Sequence, residues 1–453
     1  MLTLIAFALA LGLLIAVHEY GHYRMARLCG VKVLRFSIGF GRALARWQPK
    51  GSSTEFVLGA FPLGGYVLML DEREAPVPAS ERHLAFNTQP LRSRVAIVAA
   101  GPLANLLLAV LLYALVNWTG VQMAAPILAK PVADSIAARA GLVGGERVRS
   151  AAIGDDALEA TESFESLHWM MTRAALHQQT LRLVVSSARG SGEREIVLDL
   201  GGLESREANA GLFHDIGIVG PLTAPVLGPV SAGGPGQRAG LREGDVVLQV
   251  GATAIVDGLQ LREVIRASVS PSGPLAQTWR VRRGDSTIEL SVTPEGRREG
   301  DKPVGRIGAY VGGPPQWVLV RHGPLDGLRL AAVRTWEVAG LTVSMMGRMI
   351  TGQASLKNLS GPLTIADYAG KSASLGLTQY LIFLALISVS LGVLNLLPLP
   401  VLDGGHLMYY LWEGVTGRCV SDVWVERLQR GGVAVLILLM SIALFNDIGR
   451  LFG

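Results

Sequence analysis

Four runs along the chain carry almost no charge, and between them apolar residues alternate with polar ones. Residues 1–24, 95–118, 377–415 and 430–449 hold these runs. Each is predicted to span a membrane, because about 20 apolar residues cross a hydrocarbon core of about 30 Å. Ahead of the first run there is neither the basic leader nor the small-residue cleavage site of a removable signal peptide. Residues 25–94 alternate apolar and small positions around Gly39, Gly41, Gly59, Gly64 and Gly65. Here residues 31–38 and 54–70 are predicted as membrane-associated hairpin strands, too apolar for a free loop. Open strand edges are not tolerated in lipid, so such strands pack on helices, line a watery cavity or receive a substrate strand. A small β-subdomain with no substrate role fits the pattern equally well. Residues 316–376 include an amphipathic tract, 325–350, which Arg329, Arg334 and Arg348 make too polar for a span. It is placed along the interface or against the hairpins.

Composition supports a membrane protein with a large water-exposed part: 17% of 453 residues are charged and mean hydropathy is +0.38. The net charge of +5 comes from scattered Lys and Arg without a basic run, which argues against nucleic acid. Between Arg24 and Arg94 eleven Lys/Arg stand against five Asp/Glu. By the positive-inside bias this loop is cytoplasmic and the N-terminus lies outside. Cys29 and Cys419, the two cysteines, each flank a predicted span on that same side, as free thiols of a reducing compartment would.

Candidate chemistry gathers at His18-Glu19-Tyr20-Gly21-His22 on the first predicted span. Positions i and i+4 share a helix face, so the two imidazoles can grip one ion while Glu19 projects beside it, placed to take a proton from water. With 8 His and 36 Asp+Glu in the chain, chance supplies about 0.01 such matches. A hydrolytic zinc site uses three protein ligands, and two histidines leave one to be found. Asp403 completes the set, following Asn395-Leu-Leu-Pro-Leu-Pro-Val-Leu, where Pro398 and Pro400 must unwind a helix. Alone, Asp403 could instead cap a helix over 404–415, a reading that loses ground once a two-histidine site needs completing. Asn395 is predicted to hold substrate backbone or orient ligands, with a packing role equally open, His406 to be structural or to support a ligand, and Pro102 and Asn105 to form a polar notch near the metal or a packing kink.

The region 120–315 loses every membrane-length run and contains a repeat 99 residues apart, residues 137–148 against 236–247. Ala239-Gly-Leu-Arg-Glu-Gly-Asp245 resembles the diagnostic stretch of PDZ domains; in the first copy Gly145-Glu146 stands in place of Gly-Asp. The expected domains are 120–220 and 221–315, binding a peptide or acting as a gate. Together, the His-Glu-x-Gly-His motif, Asn-x-x-Pro-x-Pro-x-Leu-Asp-Gly and the insert between spans resemble the site-2 protease family. Phe36–Gly41 and Pro62–Val67 resemble its membrane-associated hairpin, with Leu68 where the family often has Lys. The resemblance implies a mixed α/β membrane protein with four transmembrane helices, a β-hairpin region and two periplasmic PDZ domains in a bacterial inner membrane, its active site near the cytoplasmic side. It implies Zn2+ on His18, His22 and Asp403 with Glu19 as base; substrate-binding or ligand-supporting roles are expected for Asn395, Asn105, Gly64, Gly65 and Tyr66. Substrates would be single-span proteins in the lipid bilayer, such as a pre-trimmed anti-sigma factor, and signal-peptide remnants. A metal transporter would not need Glu19 beside its first ligand, and a PDZ scaffold would not need the metal constellation.

Overall fold

The computed structural model describes residues 1–187, 192–203, 210–270, 273–299, 302–351 and 361–452. They form two compact units, Met1–Val121 with Arg321–Gly453, and Gln122–Val320.

Among the described residues of the first unit four helices are long and apolar enough to cross a membrane: Leu2–Leu28, Leu91–Thr119, Leu377–Leu396 and Val423–Gly449. Their apolar residues run all round rather than along one stripe, and alanines pack among larger buried side chains such as Leu14, Ile97 and Phe383. Ala6, Ala10, Ala109, Ala114 and Ala385 are buried, whereas Leu4, Leu9, Leu107 and Leu111 face outward. Small residues let backbones approach, which is how helices associate where lipid removes the hydrophobic drive. The predicted single span 377–415 is divided in the structure. One helix ends at Leu396 and another runs Asp403–Thr416, because the intervening prolines have no N–H to continue the ladder. The last helix starts at Asp422, before the expected residue 430. The amphipathic tract is one helix, Pro324–Ile350, with Trp336 exposed and Ala331 and Val338 buried. It lies against the helices Leu91–Thr119 and Leu377–Leu396, with Asn117 Nδ2 donating to Gly327 O at 2.9 Å and Trp118 Nε1 to Pro324 O at 3.0 Å.

The hairpin region is two 15-residue strands, Val33–Trp47 and Glu55–Met69, each bent so that four segments lie side by side. Phe36 has Val67 on one side and Phe56 on the other, and Trp47 pairs outside Phe56. The order is therefore 65–69, 33–38, 55–58, 43–47, with the outer pairs antiparallel, the central pair 33–38 and 55–58 parallel because each strand doubles back, and 65–69 on an edge. Gly39 makes the bend, at φ +87° with a virtual Cβ 2.9 Å from the Phe61 carbonyl oxygen, where only glycine fits.

The second unit contains one layout twice. In the first copy a sheet ordered 159–160, 147–153, 180–186, 193–199 packs on the helix Phe164–Leu176; in the second, 253–254, 246–250, 277–283, 286–292 packs on Gly258–Ala267. The sequence difference Glu146 for Asp is absorbed locally. Glu146, 3% exposed, accepts from the Val143 and Gly144 amides and from Arg194, which also donates to the Gly141 carbonyl. Asp245, fully buried, accepts from the Arg242 amide and from Arg283, which donates to the Gly240 carbonyl. The extra methylene lengthens the reach, keeps the equivalent amide and arginine partners, and adds the Gly144 amide.

Candidate metal centre

His18 and His22 stand one turn apart on the helix Leu2–Leu28, rings edge to face with centroids 4.8 Å apart. Their Nε2 atoms lie 3.3 Å from one another. Asp403 places Oδ2 at 3.2 Å from Nε2 of His18 and 3.4 Å from Nε2 of His22. The chain break delivers it there: Leu402 is the N-cap residue, Asp403 opens the next helix, and no side chain caps that end. A Cβ on Gly404 or Gly405 would fall 2.1 Å from the Leu397 carbonyl oxygen or 2.4 Å from that of Leu399, so the break closes tightly only because these residues have none.

Asp403 Oδ2 is buried and, despite its nearness to both rings, has no hydrogen-bond geometry to any partner. Three lone-pair donors facing each other this closely repel unless a cation joins them. A tetrahedral ion with bonds of about 2.0–2.1 Å has donor–donor edges of about 3.3 Å. Two imidazoles and one carboxylate at 3.2–3.4 Å therefore fit zinc in both donor type and spacing. Among the described residues, no other His, Cys, Asp and Glu group gathers in this way.

The surrounding contacts fix these side chains. His22 Nδ1 lies 2.8 Å from the Ile97 carbonyl oxygen, to which it can donate. The helix Leu91–Thr119 can come this close because of two glycines. A Cβ on Gly101 would sit 2.2 Å from His22 Nε2, and one on Gly21 would sit 2.4 Å from the Ala100 carbonyl oxygen. His18 Nδ1 faces the Asn105 amide, 3.3 Å from its Nδ2. Glu19 is buried and interacts electrostatically with both histidines and Asp403. Gly65 seats Glu19, since a Cβ there would lie 2.8 Å from Glu19 Cγ. The edge segment 65–69 thus begins against the motif.

Of the residues singled out from sequence, the structure brings His18, His22, Asp403, Glu19, Gly65 and Asn105 together. Gly64, at φ +136°, and Tyr66, stacked on Phe40 at 6.1 Å, flank Gly65. Asn395 stands in the last turn of its helix and has no hydrogen bond to the three donors. His406 lies outside the cluster, edge-on to Tyr409 at 5.9 Å. Two supporting contacts escaped the sequence reading. Ser388 Oγ donates to the Asn105 carbonyl at 2.7 Å. Arg94 clamps Glu413 through two bonds of 3.1 and 2.5 Å while lying over the Tyr410 ring, tying the helix Asp403–Thr416 to the start of Leu91–Thr119. The available signal for Glu413 was an acid beyond the proposed ligand Asp403 in the same short, largely apolar helix.

Comparison with known proteins gives this geometry its context. The sequence profile of peptidase family M50 matches residues 6–439. The regulator of sigma-E protease RseP of Escherichia coli (strain K12) is 39% identical over 458 residues, covering 99% of this chain and 98% of that protein. Protease RseP of Yersinia pestis is 39% identical over 460 residues, covering 99% of each. A Ralstonia nicotianae protein bearing a zinc metalloprotease name is 41% identical over 462 residues, covering 100% of this chain and 99% of the other. With a match along nearly its whole length and the metal-binding geometry in place, this chain belongs to peptidase family M50, the zinc-dependent site-2 proteases of membranes.

Proposed function

We propose that this chain is a site-2-type zinc endopeptidase that cuts single-span proteins within the membrane, with His18, His22 and Asp403 as ligands and Glu19 as the general base. The observation that carries the reading is the triangle of donor atoms, 3.2 to 3.4 Å on each side, set between apolar helices with Glu19 beside it. Bound zinc supplies the Lewis acid that polarises a scissile carbonyl and lowers the pKa of water towards about 7. Glu19 takes the proton of the attacking water and passes it to the leaving amine nitrogen, two transfers that one carboxylate can serve in turn. Its burial and its seat on Gly65 hold it in one place for both.

A peptide bond inside a helix is shielded, so the substrate must unwind. The segment 65–69 offers it a strand to join: it lies on a sheet edge and starts against Glu19. Backbone pairing gives register without demanding a sequence, which suits substrates such as a pre-trimmed anti-sigma factor or signal-peptide remnants. The repeat unit of residues 120–315 serves as two PDZ-type domains on the periplasmic side, filtering substrates by the size of their outer part. The free thiols Cys29 and Cys419 and the basic 24–94 loop support an active site near the cytoplasmic face of a bacterial inner membrane.

The test is cleavage of a single-span substrate by the purified chain in liposomes, comparing wild type with Glu19→Gln. Retained zinc with cleavage reduced at least about 100-fold is expected for loss of a general base. Cleavage by Glu19→Gln at the wild-type rate would remove Glu19 from the chemistry.

A further inference from the structure

The hydrogen-bond partners of the two histidines differ, and the difference points to a task for Asn105. This inference rests on the assignment of His18 and His22 as zinc ligands. A neutral imidazole binds metal through the nitrogen that carries no proton, so its other nitrogen holds the proton and must donate it. At His22 the requirement is met, because Nδ1 faces the Ile97 carbonyl oxygen, a pure acceptor, at 2.8 Å. At His18 the partner of Nδ1 is the side chain of Asn105, fully buried in the helix Leu91–Thr119. With Nδ2 facing the ring at 3.3 Å, Asn105 donates, the imidazole proton is forced onto Nε2, and Asn105 Oδ1 is left buried without a partner. That proton would point at His22 Nε2 and Asp403 Oδ2, 3.3 and 3.2 Å away, where a ligand needs a lone pair.

The two ends of an amide are nearly equal in size, and a half-turn about the last side-chain bond exchanges them. We propose that Asn105 works with Oδ1 towards His18, accepting its Nδ1 proton and so holding His18 in the tautomer that leaves Nε2 bare for zinc. The turn replaces one unpartnered end by another but converts a mismatched contact into a matched one. It also gives both histidines the same arrangement, each Nδ1–H donating to an oxygen of the helix Leu91–Thr119. Asn105 is well held for this: its carbonyl accepts from Ser388 Oγ at 2.7 Å, which fixes its turn of helix against Leu377–Leu396. An amide oxygen does the work without a charge, which a membrane-spanning segment admits at lower cost than a carboxylate. Asn105 is thus a positioning residue, acting through His18.

The experiment uses the full chain in detergent micelles, with zinc itself as the probe and chelator competition as the affinity readout. Asn105→Leu keeps the approximate shape and removes the acceptor; it is expected to weaken zinc binding by about 10–100-fold, the range for partners of ligating histidines. Asn105→Asp restores an acceptor and is expected to stay within a few-fold of wild type. A second measurement needs no variant: long-range 1H–15N spectra of histidine-labelled, zinc-loaded wild type should show His18 protonated on Nδ1. Wild-type affinity in Asn105→Leu, equal weakening in Leu and Asp variants, or a His18 proton on Nε2 would each overturn the proposal. Wild type that binds no zinc overturns the ligand assignment first, and is told apart because it precedes any variant.

Discussion

Gly101→Ala adds one methyl group where the site has no room for it. The new Cβ would lie 2.2 Å from His22 Nε2, 2.6 Å from Cε1 and 2.8 Å from Cδ2, so the ring must retreat by more than an ångström to reach ordinary contact. Zinc sites tolerate about 0.2 Å in ligand distance, so His22 is lost as a ligand and its 2.8 Å bond to Ile97 O is broken. Loss of a direct ligand costs at least as much as loss of a partner behind one. Affinity should fall by about 100-fold or more, or about 2.7 kcal/mol. Alanine is otherwise the better helix former by about 1 kcal/mol, so the metal-free fold is not the expected casualty. Chelator competition on purified chain reads the affinity, with Gly12→Ala as control because a Cβ there meets nothing within 4 Å. Wild-type zinc affinity in Gly101→Ala would refute the reasoning that this glycine makes room for His22.

Three further outcomes follow from other parts of the molecule. Prolines placed one at a time along 65–69 should slow cleavage of a single-span substrate wherever the lost N–H faces outward, with zinc content unchanged; equal rates throughout would sink strand addition. Burial raises the affinity of the Asp245 carboxylate for a proton, but bonds from Arg283 and the Arg242 amide outweigh it, so its pKa is lowered in the fold. Its unfolded value is near 3.9, so the stability it adds is present at neutral pH and is lost as pH falls below about 4 through the folded value. Hydrogen exchange of strand 246–250 should then rise in acid in wild type, whereas Arg283→Met, which strands a buried charge, should loosen that strand at pH 7 by about 3 kcal/mol. Asp447 accepts from the amides of Gly361, Leu363 and Thr364, capping the helix Pro362–Ser374 from another helix. Asp447→Ala should lower stability by about 1–2 kcal/mol, read as a lower Tm in detergent, and an unchanged Tm would show the cap to be idle.

What could be read from sequence was whatever local spacing encodes. The i, i+4 histidines need only a helix to face one ion, and Pro398 and Pro400 announce a break that frees Asp403. The hairpin strands were legible over 33–38 and 55–69, but not the continuation of the first to Trp47 or their doubling into four segments, because glycine bends decide which edge remains free. The helix Pro324–Ile350 was ambiguous because its arginines argue against a span, while its burial depends on neighbours more than 200 residues away, such as Asn117 and Trp118. The same limit hid the contact of Arg94 with Glu413, 319 residues apart in sequence. Glu146, where the second copy has Asp245, weakens the match between the repeats. Its buried contacts show that a one-carbon change was compensated by reach.

The central claim is that two histidines of the first helix and Asp403 hold one zinc ion. X-ray absorption at the zinc edge, on purified chain before and after Asp403→Ala, tests it most directly. The account predicts one zinc per chain with two imidazole nitrogens and oxygen donors at about 2.0–2.2 Å, and a lower metal content once Asp403 is removed. Sulfur neighbours at about 2.3 Å, or a spectrum and zinc content unchanged by Asp403→Ala, would contradict it.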